Sequence, residues 1–71
     1  MITIQAAGSL KERIPADLTV PTARTVGEAV AQLPIPPDVG LVMMINGRLA
    51  HWNSELNDGD VLRLAPVVGG G

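Results

Sequence analysis

Only one stretch of this chain has the apolar spacing of an amphipathic helix. Its apolar residues recur at i, i+3, i+4 and i+7: Val26, Ala29, Val30 and Leu33. Thr25 and Glu28 match a capping box, with a hydroxyl at the cap and a carboxylate three residues later. Prolines at positions 34, 36 and 37 end the helix, which therefore spans only about two to three turns. A helix this short persists only when it rests on a sheet.

The remaining segments supply that sheet. Short runs typical of strands occur at residues 2–5, 18–20, 41–45, 48–50 and 61–65. The run at 41–45 is apolar throughout, which predicts a strand buried in mid-sheet, and Asn46-Gly47 after it is a strong tight-turn signal. We expect an α+β domain of β-grasp order, with a mixed sheet of about four to five strands and the short helix packed on one face.

Composition excludes several classes of function. The chain has 71 residues, no cysteine and one aromatic residue, Trp52, so it forms one small domain with an aliphatic core and neither disulfides nor cysteine-ligated zinc. Its five basic residues are scattered, which argues against a nucleic-acid partner. No apolar run reaches the length of a membrane span, and residues 1–5 do not resemble a signal peptide. We therefore expect a cytoplasmic protein with no membrane partner.

The end of the chain departs from the fold pattern. We expect a domain at residues 1–66 and a flexible tail at 67–71 that ends in Gly69, Gly70 and Gly71. Glycine contributes no side-chain packing and loses the most conformational freedom on ordering, so the run does not help folding. Six residues from Pro66 extend roughly 20 Å, and a strip without side chains fits a narrow channel and leaves its terminal carboxylate unhindered. The alternative is that the glycines form a frayed chain end without a function.

Residues 58–71 resemble the C-terminus of the small sulfur-carrier proteins, such as the molybdopterin synthase small subunit and the thiamine-pathway carrier. The shared pattern is Asp58-Gly59-Asp60, an apolar strand, a short apolar segment and a terminal Gly70-Gly71 pair. The helix opening Thr25-Val26-Gly27-Glu28 and the strand turn Ile45-Asn46-Gly47 also look like this family. The resemblance implies the ubiquitin-like fold.

The resemblance also implies a mechanism. An E1-like enzyme adenylates the Gly71 carboxylate with ATP, and a sulfur source converts it to a thiocarboxylate that a synthase subunit accepts. Residues Pro66, Val67, Val68, Gly69 and Gly70 would enter the partner's channel. The chain itself would be a carrier rather than an enzyme, would bind no cofactor or metal, and would be a monomer or part of a heteromer with a larger subunit. Because it has no thiol, only its carboxyl end can hold sulfur.

The two branches of the family are matched unevenly. Pro66 and the Leu10-Lys11-Glu12 segment are similar to the molybdopterin branch, whereas Val67-Val68, the short length and the short helix are similar to the thiamine branch. The molybdopterin type is slightly preferred.

Three side chains are candidates for the partner surface. Arg63 lies on the non-core face of the last strand if Leu62 and Leu64 point inward. Of Met43 and Met44, one is expected in the core and the other, taken as Met44, on the opposite face, where it would form an apolar docking patch with Val67 and Val68. Trp52 is either an interface residue or a cap on the core.

Other chemistry is poorly supported. His51 has no second histidine or cysteine with which to bind a metal, and Asp58-Gly59-Asp60 is far short of a calcium loop and is expected to be a turn. Two alternatives to sulfur carriage stay open. One is a ubiquitin-like modifier conjugated to lysines, and the other is a plain β-grasp binding module with incidental glycines.

Overall fold

The computed structural model describes residues 1–15, 18–21, 23–35 and 40–67. Within these ranges the chain forms five strands, one α-helix and one 3-10 helix. The strands are β1 (Ile2–Ala6), β2 (Leu18–Val20), β3 (Leu41–Ile45), β4 (Arg48–Ala50) and β5 (Val61–Pro66). The helix α1 spans Val26–Ala31, and the 3-10 helix spans Gly8–Glu12. No helix in the described ranges is long and apolar enough to cross a membrane.

The sheet has the order β2-β1-β5-β3-β4, with the last strand in its centre. Strand β5 is parallel to β1, where Gln5 is paired with Arg63, and antiparallel to β3, where Met44 is paired with Arg63. The two hairpins, β1–β2 and β3–β4, are antiparallel. This mixed sheet with one short helix confirms the predicted β-grasp fold.

Helix α1 begins at the predicted cap. The Thr25 Oγ1 accepts a hydrogen bond from the Glu28 N–H at 3.3 Å, and the Glu28 Oε1 accepts one from the Arg24 N–H at 3.5 Å. The first bond satisfies a donor that the first helical turn leaves without a partner, and the second ties the Glu28 side chain to the residue before the cap. The helix ends at Ala31, before the prolines, and Leu33 beyond it is still buried.

The core lies between α1 and one face of the sheet. Its members are aliphatic residues of every strand, the two helices and the loops beside them: Ile2, Ile4, Leu10, Ile14, Val20, Val26, Ala29, Val30, Leu33, Met43, Ala50, Leu56, Leu62 and Leu64. Burial of apolar surface is worth about 25 cal/mol per Å², so this single layer stabilises the fold without an aromatic residue.

The structure differs from expectation in two places. Residues 8–12, to which the sequence pattern assigned no regular structure, form a 3-10 helix that inserts Leu10 into the core. The apolar run of β3 is not buried on both faces, because its alternate residue Val42 is 36% exposed. With one helix covering one face, the described elements leave the other face of the sheet open.

Candidate functional site

The tail follows β5, the central strand of the sheet. Strand β5 has a neighbour on each side, and its residues Leu62 and Leu64 are fully buried. Pro66, the last residue of β5, is paired in register with Leu41. The point from which the tail departs is therefore fixed by the sheet rather than by a loop.

Two glycines lie close to the root of the tail. A Cβ on Gly8 would lie 3.2 Å from the Pro66 Cγ and 3.3 Å from its Cδ, and Gly8 has a φ of +58°. On the other side, the Val67 N–H donates a hydrogen bond to the Gly40 carbonyl at 3.0 Å, and a Cβ on Gly40 would lie 3.4 Å from the Val67 Cβ. Close approach of backbone is a use for which glycine is suited. Pro66 and Val67 are thus held between the 3-10 helix and the residue that precedes β3.

The predicted tail residues Val68, Gly69, Gly70 and Gly71 lie outside the described residues. Their entry into a partner's channel stays a prediction, as does the domain boundary after residue 66.

The open face of the sheet carries an apolar surface. Register places Met44 opposite Leu49 and Val42 opposite Ala65, on the face away from the core. Leu49 is 72% exposed, and Val67, which follows β5 directly, is 55% exposed. We call Val42, Met44, Leu49, Ala65 and Val67 the apolar sheet face.

Two of the three predicted surface residues lie together on this side of the sheet. Met44 is partly exposed and neighbours the exposed Arg63, whereas Met43 is buried, as the alternation predicted. Trp52 lies elsewhere. It is 47% exposed, its carbonyl accepts the Gly27 N–H at 3.0 Å, and its ring lies 3.8 Å from a Cβ built on Gly27 in α1. Trp52 therefore packs beside the start of the helix, apart from Met44 and Arg63.

Sequence reasoning missed Leu49, the most exposed member of this face. The two-residue turn Asn46-Gly47 fixes the pairing of β3 with β4, which places Leu49 opposite Met44. That register was readable from the sequence once Met44 was assigned to the outer face. Gly8 and Gly40 were missed because their contacts with the tail root join segments distant in sequence.

The turn that precedes β5 is acidic and tightly hydrogen-bonded. The backbone N–H of Asn57 donates to the Asp60 carboxylate at 2.8 Å, and the Asn46 side-chain amide donates to it at 2.9 Å. These two hydrogen bonds hold the pKa of Asp60 below its ordinary value, the backbone bond being the larger cause. The neighbouring Asp58 pairs with the amino group of Met1. These carboxylates therefore serve the fold, as expected for a turn.

The described residues contain no cluster of three or more histidine, aspartate or glutamate side chains that could hold a metal ion. His51 is exposed, and its backbone N–H donates to the Ser54 hydroxyl at 2.9 Å.

Comparison with known proteins identifies the family. The model of the ThiS family matches residues 4–71, almost the whole chain and the tail with it. The chain belongs to the ThiS family. Its fold is that of the ubiquitin-like sulfur carriers, as the resemblance of the last residues implied.

A solved structure agrees in fold. The crystal structure of SAMP1 from Haloferax volcanii matches with a TM-score of 0.69 at 24% sequence identity, covering 99% of this chain and 98% of that chain. At 24% identity, the similarity to SAMP1 supports the fold of this chain and does not indicate that the two proteins share a partner. The comparison of this chain with curated proteins found no match.

Proposed function

We propose that this protein is a sulfur carrier whose reactive group is the C-terminal carboxylate of Gly71. An E1-like enzyme adenylates the carboxylate, the adenylate is converted to a thiocarboxylate, and a synthase subunit receives the sulfur. The observation that carries the proposal is the ThiS-family match, which extends through the glycine tail to residue 71. The proposal requires Gly71 to be the last residue of the working protein.

The proposed reaction has two steps, each a nucleophilic substitution. A carboxylate oxygen of Gly71 attacks the α-phosphorus of ATP and pyrophosphate leaves, which gives an acyl-adenylate. Sulfide then attacks the acyl carbon and AMP leaves, so that one oxygen is replaced by sulfur. Covalent activation of this kind turns an unreactive carboxylate into an acyl donor. The partner supplies the ATP site and the acid–base groups, and the protein supplies the acyl group as carrier and substrate.

The root of the tail supports this role. A carrier must present its last residues at a defined distance from the surface that docks. Pro66 pairs within the sheet beside Gly8, and Val67 is hydrogen-bonded to Gly40, so the root of the tail has a defined position. A fixed root lowers the conformational entropy lost when the tail enters a channel.

The apolar sheet face is suited to the partner. Exposed apolar patches on small proteins commonly mark protein–protein contacts. This one adjoins the tail root through Val67, so one partner can cover the face and receive the tail. Met44 and Arg63 belong to this contact in the proposal, whereas Trp52 would need a second contact on the helix side.

The decisive experiment measures intact mass after incubation with ATP, sulfide and an E1-like enzyme from the same cell. We expect a gain that corresponds to replacement of one oxygen by sulfur and that depends on ATP. Deletion of Gly71, or addition of one alanine after it, should abolish the gain. The variant Thr19→Ser on the exposed part of β2 is the control and should behave like the wild type.

Two other outcomes would contradict the proposal. Isopeptide-linked adducts without a thiocarboxylate would favour a ubiquitin-like modifier. No change with several E1-like enzymes would leave a binding module.

The acceptor is assigned by supplying the thiocarboxylate to each candidate synthase. We prefer the molybdopterin type, because the two features that resemble that branch, Pro66 and the segment around Lys11, belong to elements that pack together at the tail root. Sulfur transfer only to the thiamine-pathway acceptor would reverse this preference.

A further inference from the structure

A second feature lies beside the apolar sheet face, at the end of β1. It is an open groove of about 530 Å³ between the 3-10 helix and the strands β1 and β5. The described residues that line it are Ile4, Gln5, Ala6, Lys11, Ile14, Pro15 and Arg63. Gln5 and Arg63 are neighbours across the β1–β5 pair, and Lys11 comes from the 3-10 helix. The groove thus has two basic side chains and an apolar part formed by isoleucine, alanine and proline.

The two basic side chains pair with no acidic group among the residues that the structure describes. Among the described residues, neither Lys11 nor Arg63 has an ion pair or a side-chain hydrogen bond, and both are exposed. The carboxylates of Glu28, Asp58 and Asp60, in contrast, all accept bonds from the backbone, an asparagine or the amino terminus. No described residue that lines the groove carries a carboxylate. Within the described part of this protein of net charge −2, two positive charges without an acidic partner therefore lie at one groove.

We infer that this basic groove binds an acidic peptide segment of the E1-like activating enzyme. A carboxylate of that segment contacts Lys11 and Arg63, and a neighbouring apolar side chain packs on the accessible apolar lining residues, Ala6 and Pro15. The inference rests on the proposed function, because it names a contact made by the partner which that function requires. Arg63 borders both the groove and the apolar sheet face, so one partner engages the two surfaces together.

The shape of the groove favours a peptide over a free anion. A phosphate fills only a small part of 530 Å³ and gains nothing from the apolar residues Ala6 and Pro15. A nucleic-acid strand needs a row of cations and aromatic platforms, and the groove has two cations and no aromatic lining residue in the described part. An aspartate or glutamate beside an apolar residue uses both halves of the groove. Electrostatic complementarity of this kind mainly raises the association rate and is screened by salt.

The test neutralises each charge without removing the side chain. The variants Lys11→Gln and Arg63→Gln, singly and together, are compared with Arg24→Gln and Arg48→Gln, also singly and together, which make the same changes in net charge outside the groove. All four positions are exposed, so folding should be unaffected. For the full chain and the activating enzyme, we expect the association rate constant of the double groove variant to fall about tenfold at low salt. The controls should change it by less than about twofold, and the double variant should lose most of the salt dependence.

The two proposals fail in different ways. If the double variant forms thiocarboxylate with unchanged KM and salt dependence, the groove assignment is wrong and the carrier function stands. If the wild type is not activated at all, the carrier function is wrong, and the groove is then judged by nuclear magnetic resonance titration with the amidated peptide acetyl-Leu-Glu-Leu-Asp.

The titration has a clear reading. Shifts of the Gln5, Lys11 and Arg63 amides that are absent with the matched Gln/Asn peptide support a peptide groove. The same shifts with inorganic phosphate alone, or none with either peptide, overturn it.

Discussion

The side chain of Asn46 joins the turn between β3 and β4 to the turn that precedes the central strand β5. Asn46 has a φ of 50°, and its Oδ1 accepts the Val61 N–H at 2.9 Å while its Nδ2 donates to Asp60. Asparagine tolerates this left-handed conformation better than most residues. The turns at 46–47 and 57–60 were both predictable from sequence. Their coupling was not, because it depends on β3 and β5 being neighbours in space.

The first prediction concerns the titration of Asp60. Its pKa is lowered in the fold, so the hydrogen bonds to its carboxylate stabilise the protein above the ordinary value of 3.8, and this stabilisation is lost as the pH falls through the lowered pKa. Asn46→Ala removes the smaller of the two causes. We expect the pKa of Asp60 to rise in this variant and still remain below 3.8, since the Asn57 N–H is retained.

The carboxyl chemical shift of Asp60, measured by nuclear magnetic resonance as a function of pH, gives the pKa of this residue directly. Asn53→Ala, which removes an exposed amide in another turn, is the control and should leave the titration of Asp60 unchanged. An identical Asp60 titration in Asn46→Ala and the wild type would show that the side-chain bond contributes nothing.

At the scale of elements, α1 depends on its ends because it is only six residues long. A helix of this length is unstable alone, and packing of Val26, Ala29 and Val30 supplies most of its stability. The cap supplies a further increment. Thr25→Ala removes the acceptor of the Glu28 N–H and should lower the free energy of unfolding by about 1 kcal/mol.

Denaturant unfolding of the variants measures this increment. Thr25→Ser keeps a hydroxyl at the cap and should retain most of the wild-type stability. If the serine and alanine variants lose the same amount of stability, the Thr25 methyl group matters and the hydroxyl cap does not.

The helices and strands differ in how far they could be predicted from the sequence. The helix and the strands were predictable because periodicity, capping residues and turn residues act locally. The 3-10 helix was not, since five residues with one buried side chain, Leu10, carry no detectable period. It forms where Leu10 meets the core and Gly8 meets Pro66, contacts that require the sheet to be assembled.

At the scale of the whole molecule, one helix on a five-stranded sheet leaves one face uncovered in the described part. This explains the error over β3. A continuous apolar run predicts burial on both faces, but the described elements cover one, so Val42 and Leu49 remain exposed. The placement of Met44 and Arg63 on the outer face was predictable because it depends on alternation along a strand, whereas the role of the tail stays a prediction. The candidate site was missed where distant segments meet, as with the groove residues Gln5 and Lys11.

Comparison of Leu49→Ser with Trp52→Ser decides which side of the molecule meets the activating enzyme. Leu49 is 72% exposed on the apolar sheet face, so its loss should barely change unfolding, yet it should raise the KM for adenylation about tenfold, equivalent to about 1.4 kcal/mol. Trp52 is 47% exposed and its ring lies beside Gly27, so Trp52→Ser should lower the free energy of unfolding by about 1–2 kcal/mol and leave KM unchanged. Pyrophosphate release gives KM, and denaturant unfolding gives the stability. A raised KM in Trp52→Ser alone would move the docking surface to the helix side, because the apolar sheet face would then make no contact that the enzyme needs.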